Sequence, residues 1–216
     1  MSKVRVVIAA LTLSAAGIVG LMTREGFSPV AYPDPVHGAR VPTLGYGSTE
    51  GVRMGDSITP VQAAQRTLRE VRVFESQLKQ CVSVPLYQHE FDAYVELIHN
   101  IGSRNFCTNP RTGGPGVIVR HLNAGDYAGA CEAILQYRYA GGVDCSAPGN
   151  RTCRGLWKDR LRTRAKCLGE DSADARRGAG AEVFPGAGGF CIGGDGAPAV
   201  RRAGDLHRPA PGADRW

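Results

Sequence analysis

The chain has 216 residues, a net charge of +6 and seven cysteines, with 43% hydrophobic and 21% charged residues. Those proportions exclude global disorder, and the length fits one or two domains. The basic excess is almost all arginine, since lysine occurs only at Lys3, Lys79, Lys158 and Lys166, and it suits anionic partners from nucleic acid to cell wall.

Residues 1–23 form the first segment. Lys3 and Arg5 lead into Val6–Met22, 17 residues without a charge, closed by Arg24 and Glu25. A bilayer-spanning helix needs about 20 apolar residues, with roughly 17 as the lower limit. Small or weakly polar residues such as Ala9, Thr12, Ser14, Gly17 and Gly20 make this a poor bilayer occupant. It reads as a hydrophobic export helix, either a signal peptide with Ser14-Ala15-Ala16 as its small-residue site or a weak uncleaved anchor. A buried N-terminal helix is the plain structural alternative.

From Gly26 to Gly55 the chain is rich in turn residues, and Val41–Tyr46 suits a small strand. Thr59-Pro60-Val61-Gln62 predicts a capping box with proline in the first helical position. Val61, Ala64, Leu68, Val71, Phe74 and Leu78 then mark an apolar stripe to about Gln80. A second helix is predicted from Pro85, with Phe91, Tyr94, Val95, Ile98 and Ile101 on one face and Gly102 as its stop. A short helix follows at Val117–Leu122, then one capped by Asp126 that runs through Leu135. The last, Leu156–Leu168, is expected to turn Trp157, Leu161, Ala165 and Leu168 inward and its basic residues, Arg160 among them, outward. The result is an α+β domain, mostly helical, with a small N-terminal antiparallel sheet.

Residues 170–216 differ again. Gly, Ala and Pro supply 24 of these 47 residues, and no apolar period survives, so the segment reads as a disordered tail. One domain of residues 24–169 remains. Six cysteines fall in it and Cys191 lies alone in the tail; an even count behind an export segment favours disulfides. Cys145 and Cys153 bracket a short Gly/Pro/Asn loop and are the easiest pair to close, while the other pairings stay open. No C-x-x-C or H-E-x-x-H pattern exists, so neither a metal nor another cofactor is expected.

Most carboxylates of the domain fall on predicted outer helix faces, where solvation is their ordinary role. Glu25 and Asp34 do not: Glu25 ends the N-terminal helix before Gly26, and Asp34 sits in a Pro33-Asp34-Pro35 turn. Glycoside hydrolysis needs one carboxylic acid kept protonated for the leaving oxygen and a second carboxylate kept ionised. A helix end against apolar surface favours the first state, and a solvated turn favours the second. Taken alone, the pair reads more readily as a helix-end charge and a turn former.

The ordered string Arg24-Glu25-Gly26-Phe27, Ala31-Tyr32-Pro33-Asp34 and Pro42-Thr43-Leu44-Gly45-Tyr46-Gly47 resembles the active-site region of phage-type lysozymes, glycoside hydrolase family 24. Ala93-Tyr94 through Asn100-Ile101-Gly102, Leu122–Tyr127, Tyr139–Gly142 and Gly155-Leu156 with Arg160, Arg162 and Arg164 continue the likeness over residues 23–168. The resemblance implies a lysozyme-like fold and an endolysin cleaving the β-1,4 bond between N-acetylmuramic acid and N-acetylglucosamine. In it Glu25 is the general acid, Asp34 the partner carboxylate and Thr43 a holder of the attacking water. The family inverts configuration, which requires carboxyl groups roughly 6.5–9.5 Å apart.

Two departures stand out. Asp34 and Thr43 are nine positions apart where the family has six, which reads as an extended hairpin, and Asn109–Gly116 is an insertion before the Val117 helix.

The N-terminus fits the signal-anchor-release subset: inner membrane first, facing the periplasm, then free in the periplasm, encoded by a phage or prophage. Peptidoglycan strands are the expected partner, with no nucleic acid and a monomeric enzyme. A lytic transglycosylase on the same bond and a silent exported wall-binding module are the competing readings.

Overall fold

A computed structural model describes residues 4–34 and 38–170. The expected tail after residue 170, with Cys191, lies outside the described residues. Helix α1 (Ala15–Glu25) leads into the antiparallel hairpin β1 (Ser28–Asp34) and β2 (Gly38–Gly45). Then come α2 (Pro60–Cys81), α3 (Gln88–Ile101), α4 (Ser103–Cys107), α5 (Val117–Asn123) and α6 (Tyr127–Glu132). A two-residue hairpin, β3 (Tyr139–Ala140) and β4 (Val143–Asp144), precedes α7 (Arg154–Leu168).

The described residues 4–23 do not make one helix. Ile8–Ala10 is a single 3-10 turn, Leu11 is extended, residues 11–14 have no regular structure, and the α-helix starts only at Ala15. The Ser14 side chain accepts from the Gly17 N–H and caps α1, while its own N–H and hydroxyl donate to Asp92 at 3.0 and 2.5 Å. Ile8, Leu11 and Leu13 are buried in the main core with Leu78, Leu86 and Phe91. Among the described residues, no helix is long and apolar enough to cross a membrane.

The Thr59–Gln62 capping box forms as predicted. The α2 stripe holds only in its second half, where Val71 and Leu78 are buried and Phe74 packs on the core; Val61 and Leu68 face solvent, and the buried line is Ala63, Thr67, Val71, Glu75 and Leu78. Helix α3 starts at Gln88 rather than Pro85, because Glu90 accepts from the Tyr87 N–H and fixes the first turn there. Every residue from Glu90 to Ile98 is buried, so α3 is the central rod rather than a one-sided helix. The helix expected from Asp126 to Leu135 ends as α6 and continues as a 3-10 turn, Ala133–Gln136.

The expectation that the carboxylates would be solvated is corrected at four positions. Glu75, Glu90, Asp92 and Glu96 are all buried, and each meets the segment from Arg5 to Arg24. Glu75 accepts from the Leu13 N–H at 2.5 Å, Glu90 holds Arg5, Asp92 holds Ser14 and Glu96 pairs with Arg24. A buried carboxylate is tolerated only when paired or hydrogen-bonded, so these acids make the N-terminal segment part of the packed domain.

Helix α7 buries Leu156, Arg160, Thr163 and Cys167, while Leu161 is exposed. The expected inward face is thus rotated, and Arg160 is a core residue. Three disulfides join the pieces: Cys81–Cys107 ties α2 to α4, Cys131–Cys167 ties α6 to α7, and Cys145–Cys153 closes the loop between β4 and α7, the pair expected from spacing.

Candidate active site

Helix α1 delivers Glu25 to the junction between the hairpin and the helical body. Its C-cap is Gly26, whose N–H donates to the Met22 carbonyl and whose φ of 68° is a conformation that glycine adopts without strain. That turn sends Phe27 and β1 away and leaves Glu25 at the helix end. The carboxyl is only 14% exposed, and its Oε1 lies 3.6 Å from Nδ1 of His99, itself 14% exposed, on α3. The His99 ring stands edge-on to Phe74 of α2, 5.3 Å between centroids.

The neighbouring Arg24 secures the end of α1 to two other helices. It pairs with Glu96 of α3 at 2.9 Å and with Asp159 of α7 at 3.6 Å. Lys166 of α7 also binds Glu96. Arg160, 2% exposed, donates to the Tyr137 carbonyl at 2.8 Å and to the Asn100 side chain, and pairs with Asp159 at 3.2 Å. Burial lowers the pKa of this guanidinium, against the opposing pull of Asp159. It remains a cation, because an arginine starts from so high a value.

Thr43 lies in β2 opposite Tyr32 of β1, is 1% exposed, and its hydroxyl has no hydrogen-bond partner among the described residues. Asp34 closes β1, its backbone paired with Gly38; the connecting residues 35–37 lie outside the described residues. Glu25, Asp34 and Thr43 therefore come from the end of α1 and the hairpin that follows it. Sequence reading missed His99, Glu96 and Asn100 as neighbours of this site. A usable signal existed: an acid, a histidine and an asparagine interrupt the apolar run of α3 within one turn of each other.

Beside this junction opens a cavity of about 970 Å³. Val41 of β2 and Thr49 line one wall; Asn100, Arg120, Tyr137 and Arg160 are among the residues opposite. A cleft of this size admits a multi-residue ligand. Among the described residues no cluster of three or more His, Cys, Asp or Glu is arranged to hold a metal ion.

A partly buried helix-end carboxyl followed by a small hairpin, with a cleft lined by Val41 of that hairpin and Asn100 of the helical body, fits a lysozyme-type glycoside hydrolase. The phage lysozyme family model matches residues 22–162, and the chain belongs to that family. An endolysin of Salmonella phage P22 is 30% identical over 153 residues, 68% of this chain and 98% of that protein. A SAR-endolysin of Pseudomonas phage phiKMV is 32% identical over 123 residues, 57% of this chain and 70% of its relative. A crystal structure of a P22 lysozyme mutant superposes with a TM-score of 0.57 at 29% identity, covering 73% of this chain and 99% of that one. The chain is thus a muramidase endolysin, which hydrolyses the β-1,4 bonds of peptidoglycan to lyse the host cell; neither the transglycosylase nor the silent-binder reading is favoured.

Proposed function

We propose that Glu25 is the general acid of this muramidase, Asp34 the carboxylate that activates water, and Thr43 the hydroxyl that orients it. Glu25 gives its proton to the glycosidic oxygen as the bond to C1 breaks. Water attacks C1 from the opposite face and passes its proton to Asp34. The observation that carries the reading is the seating of Glu25, fixed at a helix end, 14% exposed and 3.6 Å from His99, whose neighbour Asn100 lines the cleft. The hydroxyl of Thr43, buried and not consumed by a protein partner among the described residues, supports its role in holding water. An Asp34→Asn variant tests the water step. Loss of hydrolysis with no anhydro product supports it; release of anhydro-muramic ends by the wild type contradicts it.

We further infer that residues 24–169 are the catalytic unit, acting as a monomer without nucleic acid. In this reading residues 1–23 first sit in the inner membrane of the host, facing the periplasm, and then leave it. The uncharged run Val6–Met22 and its small residues support this, as do relatives that bear the name SAR-endolysin and come from phages. The packed state of residues 4–25 corresponds to the released enzyme, in which Arg5, Leu13, Ser14 and Arg24 satisfy the four buried acids. No cysteine lies in residues 1–23, so release works by refolding rather than thiol exchange. Lengthening the segment with several leucines should hold the enzyme in the membrane and delay lysis; unchanged timing would contradict the release step.

A further inference from the structure

The insertion Asn109–Gly116 contributes Asn109, Pro110, Arg111 and Gly116 to the cleft wall. It is a built hairpin rather than a loose loop. Thr108 bridges to Pro115, the Asn109 N–H donates to the Gly114 carbonyl at 2.7 Å, and the Asn109 side chain accepts from the Arg111 N–H at 2.9 Å. Its base is closed by the Gly116 N–H on the Cys107 carbonyl at 2.9 Å, and Cys107 is stapled to Cys81 at the end of α2. At Gly116 an added Cβ would meet the Phe106 carbonyl oxygen at 2.0 Å, so only glycine lets the strand close there.

This hairpin and α5 present two exposed arginines, Arg111 and Arg120, to the cavity, and no Asp or Glu lines it among the described residues. Five other arginines are taken up within the chain: Arg24, Arg66, Arg138 and Arg164 each meet a carboxylate, and Arg160 is occupied by Tyr137, Asn100 and Asp159. Arg111 and Arg120 have no carboxylate partner among the described residues and share one cleft.

Resting on the muramidase reading, we propose that Arg111 and Arg120 form a cationic subsite that binds the carboxylates borne by the glycan strand, on its peptide stems or, where a stem is absent, on the freed lactyl group of the muramic residue. A guanidinium offers a planar fork of donors that matches a carboxylate. Mounting Arg111 on a hydrogen-bonded turn reduces the ordering cost of that contact. The subsite contributes to substrate binding and lies apart from the bond-breaking groups, so its loss raises KM and leaves kcat unchanged.

The experiment compares wild type with R111Q/R120Q on purified Gram-negative sacculi, on sacculi whose carboxyls have been converted to carboxamides with carbodiimide and ammonium, and on amidase-stripped strands. An R69Q/R72Q variant, exposed on α2 away from the cavity, removes the same net charge. The expected result is a KM about tenfold higher for R111Q/R120Q on native sacculi, from the loss of charge-assisted bonds. The ratio should fall to unity on carboxamide sacculi, and R69Q/R72Q should behave as wild type. Amidase frees a lactyl carboxylate wherever it removes a stem, so on stripped strands a lost difference assigns the subsite to the stem carboxylates and a persisting one shows that it also accepts the lactyl carboxylate. An unchanged KM, an equal rise on carboxamide sacculi, or the same rise in R69Q/R72Q overturns the proposal. Wild type inactive on every substrate would instead defeat the muramidase reading, before any variant is compared.

Discussion

The imidazole Nδ1 of His99 lies 3.6 Å from Oε1 of Glu25, so the proposed proton donor shares its pocket with a second titratable group. Arg24, Glu96, Asp159 and Lys166 form the charged network behind the pair, linking α1, α3 and α7. His99→Phe keeps a ring against Phe74 and removes the imidazole nitrogen that faces Glu25. The rate of peptidoglycan cleavage should then fall about tenfold as the acid loses its neighbour in the pocket. A rate identical to wild type would mean that His99 only packs.

Arg160 should be costly to replace. Arg160→Met keeps much of the volume but leaves the Tyr137 carbonyl and the Asn100 side chain without their buried donor. A loss of about 2–4 kcal/mol is expected, read as a lower denaturant midpoint. A shift near zero would contradict the assignment of Arg160 as a structural centre.

Docking of the N-terminal segment should depend on Asp92, which receives both the N–H and the hydroxyl of Ser14. Asp92→Ala should cost about 2–3 kcal/mol and increase cleavage by protease within residues 4–14. Arg5→Ala should act in the same direction. It strips Glu90 of the two bonds it receives from Arg5, leaving that from the Tyr87 N–H, and removes a guanidinium stacked 3.5 Å over the Tyr127 ring. Unaltered protease resistance in both variants would separate the segment from the stability of the domain.

Acid sensitivity has identifiable sources. Asp126 is held below the usual carboxylate range by the Gly129 N–H and by His121, Asp144 by the Ser146 hydroxyl and N–H, and Glu132 by Arg164. With the folded pKa depressed, the unfolded chain binds more protons across the interval. The stabilisation is therefore present above the ordinary carboxylate pKa, about 4, and is lost as pH falls below it. These groups are exposed, so each effect is small. Asp126→Asn, Asp144→Asn and Glu132→Gln together should flatten the dependence of unfolding midpoint on pH below about 4; an unchanged slope would place the acid response elsewhere.

Much of the fold was legible because local signals and tertiary packing agree. Thr59 caps α2, Gly102 stops α3, and Cys145 finds Cys153 across a short loop. Legibility failed where a charge replaces an apolar residue in the core. Periodicity counts hydrophobic side chains, so α7 was phased on Trp157 and Leu161, whereas its buried line runs through Arg160 and Thr163. The same blindness hid Glu75, Glu90, Asp92 and Glu96, whose burial makes sense only with the residues from Arg5 to Arg24 folded against them. Of the site, Glu25, Asp34 and Thr43 could be selected by family pattern. His99 is marked in the sequence only as a polar break in the apolar run of α3, because its nearness to Glu25 depends on how α1 crosses α3.

The most direct measurement is the rate of reducing-end release from purified peptidoglycan by Glu25→Gln, with folding checked by circular dichroism and thermal midpoint. Glutamine preserves the shape of the side chain and removes the transferable proton. The account predicts a native-like fold with a rate reduced about 10²–10⁴-fold; a correctly folded Glu25→Gln enzyme that cleaves as fast as wild type would contradict it.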